Sequence, residues 1–139
     1  MFFFFQPYQL HRIYSEVSPA CPFETSLLFW ASKVTGDPRY KHIAISHAET
    51  TMQYGIREDG STKHILSFDA ETGEYIENFG GQGYSAESSW SRGTAWGLYG
   101  FINTYCHTGD ERFLNTAKPN AHYFISALPE DQVPYWDFV

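Results

Sequence analysis

The chain has 139 residues, enough for one domain with a core of ordinary size and too few for two. Hydrophobic residues make up 42% and aromatics 19%, which excludes a disordered chain and suits either a dense core or an aromatic-lined sugar cleft. A net charge of −7 argues against nucleic acid and against an anionic membrane surface, so an anionic ligand needs a local basic spot.

Residues 1–21 keep neither the helical nor the strand period and read as an irregular leader, foreign to the rest of the chain. The opening MFFFFQPYQL has too short an apolar run, and no basic start, for a signal peptide; nothing reaches membrane-spanning length, and the expectation is a cytoplasmic protein. Cys21 and Cys106 fit no metal or disulfide-framework spacing and are expected as reduced, buried thiols.

From Pro22 the pattern turns helical. PFETSLLFWASKVTG carries Leu27, Leu28, Trp30 and Ala31, with Glu24 or Thr25 near its start and Gly36 as a left-handed stop. Asp37 and Pro38 then supply an N-cap and a first helical residue for a second helix. That helix places Tyr40, Ile43, Ala44, His47 and Thr51 at three-to-four spacing and ends near Gly55.

The next segment differs. His64, Leu66 and Phe68 alternate with Lys63, Ile65 and Ser67, and Glu71-Thr72-Gly73-Glu74 turns into Tyr75-Ile76, which predicts a β-hairpin over one end of the helices. His64 is the only one of the six histidines on this insertion.

Gln82 to Gly100, QGYSAESSWSRGTAWGLYG, combines two indoles, a guanidinium and a carboxamide. Ser88 or Ser89 is the expected N-cap of a helix running on from Trp90. Arg92, Trp96 and Tyr99 share one side of it, while Gly93, Gly97 and Gly100 share another. Each glycine costs roughly 1 kcal/mol relative to alanine, so a close neighbour, most simply a helix, must compensate. An obligate cation beside aromatic planes at a helix start suits an anionic ring such as a uronic sugar; an arginine stacked on tryptophan as structural glue fits the same residues.

After Gly109, Asp110 caps a further helix with Phe113, Ala117, Asn120 and Ala121 on one side, where Pro119 removes one hydrogen bond and predicts a break or kink. TGDPRY and TGDERF align at an offset of 73, Thr35 onto Thr108 and Arg39 onto Arg112. Repeated helix pairs signal an α/α array or toroid, because one pair cannot bury its apolar face alone.

Together LLFWASKVTGDPRY, HAETTM, REDGSTKH, FDAETGEY, QGYSAESSWSRGTAWGLYGF and LPEDQVPYWDF resemble the unsaturated glucuronyl hydrolases, glycoside hydrolase family 88, from Leu27 to the C-terminus. The run SSWSRGTAWGLYGF is the most specific of these. The resemblance implies an all-α fold, an incomplete (α/α)6 barrel of about two helical hairpins over residues 22–139 with an inserted β-hairpin. It implies an unsaturated uronic-acid oligosaccharide as substrate, hydrated at C4=C5 after an Asp protonates C4, and no metal or cofactor. Family binding positions fall on His64, Gln82, Trp90, Arg92 and Trp96. The family acid/base position falls at Ala20, seven residues before Leu27, and a methyl group moves no proton. A second family Asp belongs to an earlier helix absent from this sequence, and Glu24 is a remote substitute. Asp37 and Asp110 read as caps, Asp59 and Asp69 as turn residues, and Asp137 as a structural contact.

Three expectations result: a hydrolase-derived chain that is catalytically incomplete, a non-catalytic uronate-binding module, or a helical interaction fragment that self-associates through exposed barrel edges.

Overall fold

One turn, built twice, sets the frame. In the computed structural model, which describes residues 14–17 and 22–139, helix α1 (Pro22–Thr35) ends at Gly36, and α2 (Pro38–Tyr54) starts behind Asp37. Helix α3 (Ser91–Thr108) ends at Gly109, and α4 (Glu111–Ser126) starts behind Asp110. Gly36 and Gly109 take φ of 74° and 71°, the left-handed conformation that glycine adopts without steric cost. Asp37 and Asp110 each accept the N–H two residues on, at 2.9 Å, and each holds the arginine that carries that N–H. Thr35 and Thr108 close the turn identically, each accepting from the following Asp N–H at 3.2 Å. The repeat legible at an offset of 73 is therefore a repeat of hydrogen bonds.

Helix α1 packs on α2, α3 on α4, and α1 on α3, giving two stacked hairpins. Their shared core is Ala48, Phe101, Phe113 and Ala117, each at most 1% exposed, with Ile45, Met52, Ile56, Leu98 and Tyr105 around it. Removing the area of such side chains from water supplies about 25 cal/mol per Å2. The second helix buries Ala44, Ala48 and Thr51 but leaves Tyr40 and Ile43 exposed.

The inserted hairpin is β2 (Ile65–Asp69) and β3 (Tyr75–Phe79), antiparallel, with Asp69 accepting the Glu71 and Thr72 N–H groups in the turn. It sits on the end of α2, where Tyr54 stacks on Tyr75 at 5.1 Å with the edge of Phe68 against both. A third strand, β1 (Tyr14–Val17), pairs with β2. At Tyr14–Val17 this corrects the expected irregular structure, because strand pairing satisfies backbone groups at an open edge whatever the side-chain period; the rest of residues 1–21 lies outside the described residues. Two short strands, β4 (Ser89–Trp90) and β5 (Asp137–Phe138), bring the C-terminal tail back beside the start of α3.

Three further expectations are corrected. Neither Ser88 nor Ser89 caps α3; Trp90 occupies that position and makes no side-chain cap. The Ser88 hydroxyl is spent on a turn with Ser85, and that of Ser89 on Thr62 and Thr94. Helix α4 runs through Pro119 to Ser126, with the next residue, Asn120, anchored by its amide to the Gly60 carbonyl at 2.8 Å. Cys106 is an exposed free thiol; Cys21 lies outside the described residues. Among the described residues no helix is long and apolar enough to cross a membrane.

Gly60 joins the insertion to the second hairpin. Its φ is 87°, and a Cβ there would lie 2.4 Å from the Pro119 carbonyl oxygen. Gly73, at φ 73°, has nothing within 4 Å. In urea unfolding, Gly73→Ala should cost about 1–2 kcal/mol for the left-handed backbone alone. Gly60→Ala adds a backbone collision and should cost about 2–5 kcal/mol in all; equal losses would show that the Gly60–Pro119 contact does not bear on stability.

Candidate binding site

The site forms where the insertion, the start of α3 and the C-terminal tail meet. Thr62, Ser89 and Thr94 place three buried hydroxyls within 2.8–3.1 Å of one another. The Thr62 N–H also reaches the Ser89 oxygen, and the Thr94 hydroxyl donates to the Trp90 carbonyl. Arg57 closes the other side, donating to the Ser61 hydroxyl and to the carbonyls of Thr62, Ala86 and Ser88 at 2.8–3.3 Å. These bonds tie the two ends of the insertion to one helix start.

Trp90 sits at the centre, 5% exposed. Its indole folds over Gly93, where a Cβ would fall 2.9 Å from Cε3. The glycine stripe thus takes a side chain at Gly93, and Thr62 and Asn120 at Gly97, rather than a helix along its whole length. The His64 ring lies 4.9 Å from Trp90, Trp96 meets it edge-on at 5.6 Å, and the Arg92 guanidinium stands 5.8 Å over it. Gln82 hydrogen-bonds His64. All five residues singled out in the sequence therefore gather in one cluster. Their exposures differ: His64 and Trp90 are buried, Trp96 is half-buried, and Arg92 and Gln82 are exposed. Among the described residues the Arg92 guanidinium makes no hydrogen bond or ion pair.

An open cleft of about 380 Å3 lies beside Arg92, walled by Trp90, Ala95, Phe124, Tyr135 and Trp136. Its size falls in the range of small-molecule sites. His64, Gln82 and Trp96 do not line it. The Ser91 N–H and hydroxyl are both given to the Trp136 carbonyl, so the helix start spends donors on the tail and leaves anion attraction mainly to Arg92.

The Gly83 N–H donates to His64 Nδ1 at 3.1 Å, which places the ring hydrogen of the neutral form on Nε2. Burial pushes the His64 pKa below its ordinary value, opposed by the Gln82 hydrogen bond and the negative charge of Asp137. The Asp37 and Asp110 carboxylates are held below their usual range chiefly by the side-chain hydrogen bonds of Arg39 and Arg112, Asp59 chiefly by that of Ser61, and Asp69 chiefly by the Thr72 N–H. Ala20 lies outside the described residues, and so does the side chain of Glu24. No three metal-ligating side chains converge among the described residues.

No family model matches the chain. Individual proteins do. Over 119 residues it is 43% identical to an unsaturated chondroitin disaccharide hydrolase of Streptococcus pyogenes serotype M1, covering 86% of this chain and 30% of that protein. Over 118 residues it is 42% identical to an unsaturated glucuronyl hydrolase of Bacillus sp. strain GL1, covering 85% and 31%. The crystal structure of unsaturated glucuronyl hydrolase from Bacillus sp. GL1 superposes with a TM-score of 0.86 at 40% identity, over 88% of this chain and 33% of that one. A Streptococcus agalactiae unsaturated glucuronyl hydrolase mutant complexed with dGlcA-GalNAc6S gives 0.75 at 40% identity, over 87% and 32%. This chain belongs to the unsaturated glucuronyl hydrolase family. It spans about a third of the length of these relatives.

Within this family member, sequence reasoning took Asp137 as a structural contact, and the structure adds to that role. Its Oδ2 accepts the Tyr84 N–H at 2.7 Å, while Oδ1 is buried without a hydrogen-bond partner among the described residues. A Cβ on Gly83 would lie 2.8 Å from Oδ2, so the glycine allows the loop to press against the carboxylate. Asp137 thereby links Trp90, its partner across β4 and β5, to the Gln82–Tyr84 loop and to His64. The supporting residues Arg57, Thr62, Ser89 and Thr94 went unrecognised in the sequence, where hydroxyl residues carry no periodic signal.

Removing the Asp137 charge removes an influence that favours charged His64. Asp137→Asn should lower the His64 midpoint further in an NMR titration of the ring; a midpoint that stays put would mean the carboxylate is not coupled to the ring. Because the folded His64 value lies below the unfolded 6.5, stability is full above that pH and falls as pH drops through it toward the folded value. Urea midpoints for His64→Gln should lose that part of the acid sensitivity.

Proposed function

We propose that the chain is part of an (α/α)6 glycosidase toroid and presents a binding face for the unsaturated uronic end of a lyase-generated oligosaccharide, without the acid that starts the reaction. The observation that carries this reading is Arg92: an exposed guanidinium stacked on Trp90, with no anion of the chain as counter-ion among the described residues, beside a cleft of about 380 Å3. In a chain of net charge −7, an uncompensated cation against an aromatic plane suits a planar sugar carboxylate. Arg92 grips the carboxylate against the Trp90 ring within the cleft. Gln82, exposed outside it, donates to a hydroxyl of a sugar that extends past the cleft, and the buried His64, hydrogen-bonded to Gln82, positions that side chain. Support for the substrate class comes from the relatives named for unsaturated chondroitin disaccharides and from the complex with dGlcA-GalNAc6S.

Hydration of the C4=C5 bond needs a proton delivered to C4 and a water directed at C5. The described carboxylates at the turns and helix starts are tied to their own backbones. Asp137 is buried beneath the Gln82–Tyr84 loop. With alanine at position 20, binding without turnover is the reading supported.

Tryptophan fluorescence titrated with an unsaturated chondroitin disaccharide should report saturable binding, and Arg92→Ala should weaken it about 10- to 100-fold, the loss of one charge-assisted contact. Absorbance of the unsaturated uronate should stay constant. Decay that disappears in Arg92→Ala would show that the chain turns the substrate over and would overturn the non-catalytic part of the proposal. Absence of saturable binding would overturn the binding part.

A further inference from the structure

Two successive N–H groups of the loop that carries Gln82 are held by two different acceptors. The Gly83 N–H donates to His64 Nδ1 at 3.1 Å, and the Tyr84 N–H to Asp137 Oδ2 at 2.7 Å. Glycines let the loop come this close. A Cβ on Gly81 would lie 2.6 Å from Ile65 Cδ1 and 3.1 Å from His64 Cε1, and one on Gly83 would lie 2.8 Å from Asp137 Oδ2 and 3.5 Å from His64 Nδ1. Gln82 stands between these two glycines and hydrogen-bonds the same ring. Its position therefore depends on His64 twice, through its own side chain and through the backbone of its neighbour.

The two acceptors answer differently to protons. A carboxylate goes on accepting across the neutral range, whereas an imidazolium carries hydrogens on both nitrogens and accepts nothing. A proton on Nδ1 would set two N–H groups face to face where Gly83 now donates, on a ring only 6% exposed. The surrounding charges favour a change of partner. Lys63, beside His64 in sequence, holds its ammonium over Tyr75, and Arg92 of α3 holds its guanidinium over Trp90. Tyr84 of the loop is exposed. The charge that acts on His64 is that of Asp137 on the tail, and it favours the imidazolium. A charged ring is thus drawn to the carboxylate on the same side of Gly83 and pushed off the Gly83 N–H.

We propose that His64 is a positioning residue that holds the Gln82 loop only as a neutral ring, so that the site takes its carboxylate-bearing sugar while His64 is neutral and releases it when the ring takes up a proton. The ligand half of this rests on the uronate-binding reading; the loop's dependence on the ring does not. The sign of the effect separates it from simple attraction. A positive charge added near an anion site strengthens the pull on an anion, so charge alone predicts tighter binding in acid, whereas release of the loop predicts weaker binding. The sugar carboxylate stays ionised down to about pH 4, so the ligand does not titrate in the same range. Burial holds the His64 midpoint below the ordinary 6.5, and binding is therefore lost below that pH.

Two measurements on the full chain, from about pH 7.5 to about pH 4.5, test this. Without ligand, protection of the Gly83 amide from hydrogen exchange, taken relative to its intrinsic rate, should fall with the His64 ring titration, while the Tyr84 amide on Asp137 changes less. With an unsaturated chondroitin disaccharide, tryptophan fluorescence should give a dissociation constant that rises about tenfold per pH unit below the His64 midpoint, as the neutral fraction falls. Asp137→Asn keeps an oxygen for the Tyr84 N–H and removes the charge that favours the imidazolium, so the rise should move to lower pH; a general loosening of the fold would move it to higher pH. His64→Asn offers an acceptor that takes up no proton, and its dissociation constant, whatever its value at neutral pH, should stay level. A native dissociation constant that stays level or falls as His64 titrates overturns the proposal and leaves the uronate-binding reading standing. A rise that His64→Asn shares overturns it too, since the loss then has another origin. So does Gly83 protection indifferent to the ring. Absence of saturable binding at neutral pH overturns the uronate-binding reading and the ligand half with it, and the Gly83 amide then upholds or overturns the rest.

Discussion

Three buried hydroxyls, on Thr62, Ser89 and Thr94, are the contact on which the candidate site depends. They join residues 27 and 32 positions apart in sequence and, together with the Arg57 bonds to the Ala86 and Ser88 carbonyls, fix the insertion on the start of α3. Each hydroxyl can donate once and accept twice, and the backbone completes the set: Thr94 donates to the Trp90 carbonyl, Ser89 to the Thr62 carbonyl, and Ser89 accepts the Thr62 N–H. The knot also explains the unusual start of α3. A helix normally takes its N-cap from a serine or threonine side chain, and Ser89 is placed to serve, yet its oxygen is committed sideways. The Trp136 carbonyl of the tail supplies the missing acceptor to Ser91, which places the Tyr135–Trp136 wall beside Arg92.

What could be read in the sequence was what depends on neighbours in sequence. The Gly36–Asp37 and Gly109–Asp110 turns are complete within a few residues, so residue type alone foretells them. The β2–β3 hairpin carries its alternation and its Asp69 turn together. Pairings made across the chain were not legible: β1 on β2, β4 on β5, and the Tyr84–Asp137 bond spanning 53 residues. Arg57 illustrates why. Nothing in REDGST distinguishes a surface arginine from one whose guanidinium binds two carbonyls 29 and 31 residues away. The Gly93 position was read correctly as a close approach, but the approaching group is the indole of Trp90, three residues back, rather than another helix.

The candidate cluster was gathered by two kinds of information. Arg92 and Trp96 fall together through helical spacing, which physics supplies without any relative. His64 and Gln82 were suggested by their nearness to that stretch and given binding roles by the resemblance, since a lone histidine on a hairpin is more often structural. The geometry gives that structural reading real content: His64 accepts the Gly83 N–H and is 6% exposed, so part of its role is to hold the Gln82–Tyr84 loop.

The arginines separate structural charge from available charge. Arg39 and Arg112 are spent on the aspartates that cap their own helices, and Arg112 on Glu49 as well. Arg57 is spent on carbonyls that stitch two loops. Arg92 alone among the described arginines holds only an aromatic face, an interaction of about 0.5–1 kcal/mol at an exposed position, which neither neutralises the guanidinium nor occupies its five N–H donors. An arginine kept merely as glue would gain more from a carboxylate, of which this acidic chain has sixteen. Among the described residues Arg92 holds no carboxylate, which leaves its positive charge beside the cleft.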